Sequence, residues 1–285
     1  MTDAGRGGRF PSTLRLLMVQ VHHQLLVFTR LPVALFFTIV LPLIMLVMFN
    51  ALFGDAEVDT GFGSWPLGQF YVASLAALSV VSGTFTNLTN MVPYRRQDGI
   101  MKRWRGTPLP RWIYLAGFVG SGVIVAFAGM VLMLLVGVVA YGTEIDAAKM
   151  PAVALTFLVG AAAFSALGVA VAGLVRNPEA APAVANAIVL PLSFISDVFV
   201  AIEERPRWVA VLGDVFPLKP FAQAMQAAFN PMVDAPAFEW GRLAAVAAWG
   251  AFGALLAART FKWDPVADVT SRRSRSRRRR APSVE

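Results

Sequence analysis

Four stretches of this chain, residues 31–53, 68–91, 112–143 and 150–175, contain no charged side chain, and a fifth, 180–202, contains only Asp197. A helix crosses a bilayer with about 20 predominantly apolar residues. These runs are apolar on every side, so as helices of a soluble protein they would have no polar face to show water. A sixth run, 243–258, is short and Ala-rich, and reaches spanning length if Arg242 and Arg259 extend their charges outward. Only 15% of the 285 residues are charged, against about 25% in soluble domains, and mean hydropathy is +0.62. The sequence predicts an all-α membrane protein with six transmembrane helices. Residues 1–30 form an N-terminal section, 31–259 the transmembrane domain, and 260–285 a basic Ser/Arg tail of disordered composition.

The distribution of Lys and Arg sets the expected orientation. Twenty cations fall before the first run, in the second and fourth connections and after the last run; five fall on the other side. The first side is expected in the cytoplasm, with both termini, in a bacterial cytoplasmic membrane. The net charge of +8 is then mostly an orientation signal. The Arg-rich tail suits anionic membrane lipid rather than nucleic acid. The first long apolar run begins too late, and continues too far, to read as a cleaved signal.

Much chemistry is excluded. There is no cysteine, and the two histidines, His22 and His23, are adjacent and so diverge on a helix. No G-x-x-x-x-G-K-[ST] phosphate loop occurs, nor H-E-x-x-H, nor G-x-S-x-G. The chain is expected to bind no cofactor and to be no enzyme.

Three connections are informative. Residues 13–30 place Leu14, Leu17, Met18, Val21, Leu25 and Phe28 at helical spacing, with Ser12 or Thr13 as cap. They predict an interfacial helix, or else a slanted extension of the first span. Residues 203–239 hold two stripes, Trp208, Val211, Leu212, Val215 and Phe216, then Leu218, Phe221, Ala222, Met225 and Phe229, separated by Pro217. They predict two short helices dipping into, or covering, the outer face. The connection "MVPYRRQDGIMKRWRGTPLPRW", residues 91–112, holds six cations, two Trp and three Pro. Residues 94–105 are long enough for three helical turns, with Ile100, Met101 and Trp104 as an apolar knob amid Arg95, Arg96, Lys102, Arg103 and Arg105. Thr107 and Pro108 then start the next helix. Anchors ringed by charge form a docking surface; orientation alone would also account for the cations.

Asp197, near the end of the fifth run, is a costly charge at membrane depth and so a candidate in a substrate path, or a structural group capping the helices after it. Ser193 and Ser196 accompany it. Asn87 and Asn90 end the second run, where packing or capping is their ordinary use; Asn87 joins the candidate path.

The order of these features resembles the permease subunits of ABC-2 type ABC transporters. "RRQDGIMKRWRGTPLPRW", residues 95–112, is similar to that family's basic-apolar connection ending in Thr-Pro, with Gln97 and Asp98 where a glutamate is usual. "LPLSFISDVFV" resembles the end of its fifth span, with Asp197 where a Gly often follows the Ser. "FPLKPFAQAMQAAF" resembles its outer re-entrant helices. The likeness covers roughly residues 12–263. It implies a permease subunit of an exporter of amphiphilic compounds (drugs, antibiotics or lipids). A second permease subunit, identical or closely related, would complete the path, and separate ATPase subunits would hold ATP and Mg. The connection would then be a coupling helix, with Arg95, Arg96, Asp98, Gly99, Ile100, Met101, Arg103, Trp104, Thr107 and Pro108 at the ATPase interface. The alternative is a gradient-driven transporter or a membrane scaffold; secondary transporters usually show internal repeats, and the two halves here show no clear match.

Overall fold

The computed structural model describes residues 12–53, 56–59, 64–99, 110–199 and 206–260. Nine helices run through them. An N-terminal helix, α1 (Thr13–Thr29), precedes six helices of membrane-crossing length: α2 (Pro32–Phe53), α3 (Leu67–Gln97), α4 (Arg111–Tyr141), α5 (Met150–Leu174), α6 (Pro178–Ile195) and, last in the chain, α9 (Trp240–Thr260). Between α6 and α9 lie two shorter helices, α7 (Arg207–Val215) and α8 (Leu218–Phe229). The six spans fall where the charge-free runs predict. The last takes in both Arg242 and Arg259, since the intervening run is too short alone. The α2–α3 connection, for which the sequence suggests no element, holds an antiparallel ribbon of β1 (Glu57–Asp59) and β2 (Ser64–Pro66), with Val58 opposite Trp65.

α3 is the axis of the bundle, buried along nearly its whole length, whereas α2, α6 and α9 keep most of their surface outward. Close approach around α3 depends on small residues, as it does in membranes generally. A Cβ on Gly83 would lie 2.7 Å from the Ala126 backbone of α4, and one on Gly168 of α5 would lie 2.9 Å from the Phe85 carbonyl. Midway along α3, residues Ser82–Thr86 form a π turn, and α2 holds another at Phe36–Val40. The two turns touch.

Two expectations are corrected in detail. α3 does not stop near Met91; it continues through Pro93 to Gln97, because Arg96 is buried rather than displayed. Its last turn includes residues 94–97, and Gly99 follows with φ +67°, so no continuous helix covers 94–105. Residues 100–109, with Ile100, Met101, Lys102, Arg103, Trp104, Thr107 and Pro108, lie outside the described residues. In α1 the packed face is centred on Gln20, Gln24 and Phe28, which meet α4; Leu14 and Met18 point outward.

α8 is buried on all sides except at Gln223, wedged among α3, α5, α6 and α9. Its partners rank it by depth. Beside its C-terminus, Gln69 in the first turn of α3 donates to the Phe229 carbonyl at 2.7 Å, and Lys149 donates to that of Asn230 at 2.8 Å. Two turns into α3, Gln226 Nε2 donates to Ser74 Oγ at 2.8 Å. Further down, the Phe221 ring fills the space over Gly160 in the third turn of α5. Helix-terminal carbonyls deep in a protein need such donors. α7 lies beside it with Trp208, Val211, Leu212 and Val215 exposed.

Candidate substrate groove

Where the two π turns meet, a groove of about 450 Å³ opens between α2, α3 and α6. The wall from α2 carries Val33, Phe37 and Thr38; that from α3 carries Thr86, Asn87, Asn90, Met91 and Tyr94; α6 adds Pro182 and Asn186. A π turn widens the backbone and often accompanies a functional site. Here it brings Thr38 from one turn and Thr86 from the other to the same opening. Asn87 and Asn90 follow within the next turn of α3, so one helix face presents both amides. Asn90 Oδ1 is enclosed and has no hydrogen-bond partner among the described residues. No charged side chain is among the described lining residues.

This arrangement has apolar walls and a few convergent amides and hydroxyls. It matches a pocket for a molecule with a large apolar body and several uncharged polar groups. Asn87 also borders a one-water cavity of about 10 Å³ shared with Gln24 of α1 and Ser121 of α4. The Gln24 Oε1 facing inward there is buried and lacks a partner among the described residues.

The sequence candidates separate into three places. Asn87 lies in the groove, whereas Ser193, Ser196 and Asp197 lie toward the other end of α6, against α8. Ser193 Oγ donates to the Val189 carbonyl of its own helix, and Ser196 is fully buried. Asp197 takes φ +57°, a left-handed conformation open to glycine and tolerated by Asp. That explains a charged residue at the position where the family resemblance expects glycine. Its carbonyl accepts from Gln226 Nε2 at 2.9 Å and its carboxylate from Gln223 Nε2 at 3.4 Å, which joins the end of α6 to α8. Gln226 thereby links Ser74 and Asp197.

At the basic end of the bundle, the Arg96 guanidinium turns inward and donates to the Val175 carbonyl at the end of α5. Arg95 is half-buried, and Gln97 and Asp98 are exposed. Sequence reasoning named Asn87 but missed Thr38, Asn90 and Asn186 as groove residues. The available signal was the i, i+3 pairing of Asn87 with Asn90, and of polar Asn186 with Pro182 one turn before it.

The model of the ABC-2 type transporter family matches residues 15–230, from α1 to just beyond α8. The daunorubicin resistance ABC transporter permease protein DrrB1 of Streptomyces coeruleorubidus is similar, with 30% identity over 212 residues that cover 73% of this chain and 72% of that protein. With six helices of spanning length and a family match over most of its length, the chain belongs to the ABC-2 type transporter family and is a multi-pass membrane permease.

Proposed function

We propose that this chain is the membrane subunit of an ATP-driven exporter, and that an amphiphilic compound leaves through the groove between α2, α3 and α6. The observation that carries the reading is the groove itself: an uncharged, amide-bearing opening at two facing π turns. Such a lining suits amphiphiles and does not suit small ions, whose desolvation requires charged or densely polar ligands. A second permease subunit, identical or closely related, closes the open side of the groove.

The basic end faces the cytoplasm and the β ribbon faces out, following the asymmetry of cations. α1 then lies at the cytoplasmic interface, with Leu14 and Met18 toward lipid, and α7–α8 form an outer re-entrant pair. ATP and Mg are held by a partner ATPase, which docks on residues 95–108. Within that stretch Arg96 is occupied with Val175. The contact therefore falls to Arg95, Asp98 and Gly99 and to the knob of Ile100, Met101 and Trp104 with Arg103 beside it; Thr107 and Pro108 end the docking element. ATPase closure shifts α3 through this connection, and hydrolysis returns it.

The test is transport in inverted membrane vesicles holding the chain with a cognate ATPase. The relative's name ties that protein to daunorubicin resistance, so daunorubicin is the first compound to try. ATP-dependent uptake is expected with both subunits and absent with either alone. ATP hydrolysis by the purified chain by itself would overturn the reading.

A further inference from the structure

A second cavity, of about 200 Å³, lies on the other side of α3 from the groove. Its inner wall is Val81 of α3, Phe164 of α5 and Val189 of α6; its roof is the α7–α8 turn at Phe216–Pro217–Leu218. No polar atom reaches its surface. The roof is fixed in place: Trp249 Nε1 of α9 donates to the Val215 carbonyl at 2.8 Å, and the Phe216 and Trp249 rings stack at 5.8 Å. The slot is therefore preformed.

Its mouth faces outward. Among the described residues α6 and α9 share no substantial contact and are bridged by the α7–α8 turn. Phe252 lines the slot and is itself 54% exposed, and Leu255, beside it on α9, is 64% exposed. An apolar surface thus continues from the lipid-facing side of the bundle into the interior.

Chemistry narrows the contents. Water has no partner there, since a buried water needs two to four polar groups. The volume exceeds the roughly 150 Å³ of an apolar cavity known to stay dry and bind benzene. It is too small for a helix, which is about 10 Å across with its side chains. The exported compound, as proposed above, needs polar contacts that this slot lacks. We propose that the slot is a binding site for one acyl chain of a membrane phospholipid, which enters between α6 and α9 and packs under the α7–α8 turn. The headgroup stays outside, because nothing within can receive it. This site requires only that the chain span a membrane, and is independent of the export reading.

The experiment uses the full chain in nanodiscs of phosphatidylcholine with a diazirine at the acyl terminus, followed by irradiation and mapping of adducts by mass spectrometry. No ATPase or transported compound is present. Adducts are expected on the buried Val81, Phe164 and Val189 as well as on the exposed Phe194 and Leu255. Adducts confined to Phe194, Leu255 and similar outward residues would overturn the proposal. Filling the slot with Ala170→Leu, or with Leu192→Phe on the opposite wall if the first variant does not fold, is expected to lower the inner adducts about tenfold while leaving the outer ones unchanged. Inner adducts that persist at the wild-type level in a folded variant would also overturn it.

Discussion

Arg96 at the end of α3 donates to the Val175 carbonyl at the end of α5, 79 residues along the chain. The contact brings a buried cation to a helix C-terminus, where the unpaired carbonyls and the helix dipole both favour positive charge. Two spans are thereby tied at the basic end of the bundle.

Removing this tie leaves an uncapped carbonyl in a buried place. Hydrogen bonds from charged groups contribute about 1.5–3 kcal/mol, so Arg96→Ala should lower the melting temperature clearly in detergent. Arg95→Ala, at a half-buried neighbour, should lower it little. Thermal unfolding followed by size-exclusion chromatography compares the two; equal losses would remove the special role of Arg96.

The groove amides should matter to transport and not to folding. Loss of one neutral hydrogen bond, about 1 kcal/mol, corresponds to about a fivefold drop in transport efficiency. Asn87→Leu, Asn90→Leu and Asn186→Leu are each expected to show that drop for an amphiphilic compound, with unchanged expression and melting temperature. ATP-dependent uptake at wild-type rates in all three would rule out the groove as the path.

At Asp197 the backbone decides. Left-handed φ costs a β-branched residue about 1–2 kcal/mol relative to glycine. Asp197→Gly should keep the melting temperature near wild type, and Asp197→Ile should lower it. A substrate-contact role predicts instead that Asp197→Gly loses transport at unchanged stability, whereas the backbone role predicts that it transports normally.

The proposed ATPase contact makes its own demand. Truncated aromatic anchors commonly cost about 2 kcal/mol or more at an interface, whereas rim charges mainly affect association rate. Trp104→Ala with Met101→Ala should abolish co-purification of the ATPase, while Lys102→Ala should retain it. If the double variant holds its ATPase and transports normally, the connection serves orientation alone.

The spans were legible because lipid demands uninterrupted apolar side chains, and that demand is written residue by residue. The end of α3 was not. Arg95 and Arg96 both read as surface cations, and only the position of Val175, on another helix, separates them. The contact of α1 with α4 was not legible either, because Gln20, which meets Gly117 of α4, is one of the polar residues of the pattern. The β ribbon has three residues per strand, too few for a periodicity. In the groove Asn87 was identifiable as a polar residue in an apolar run. Its association with Thr38 and Asn186 depends on three helices meeting, and neither π turn has a sequence signature.

The π turn at Ser82–Thr86 divides the central helix into two rods. At 1.5 Å per residue the 31 residues of Leu67–Gln97 extend about 46 Å. One rod ends at the basic connection, and the other carries Gln69 in its first turn, which holds the C-terminal end of α8. A regular helix would carry any push along its axis unchanged from one end to the other. The wider turn, with its altered backbone pairing, interrupts that regularity beside the groove, so the two rods need not tilt as one. The break between the rods is thus itself part of a wall of the groove.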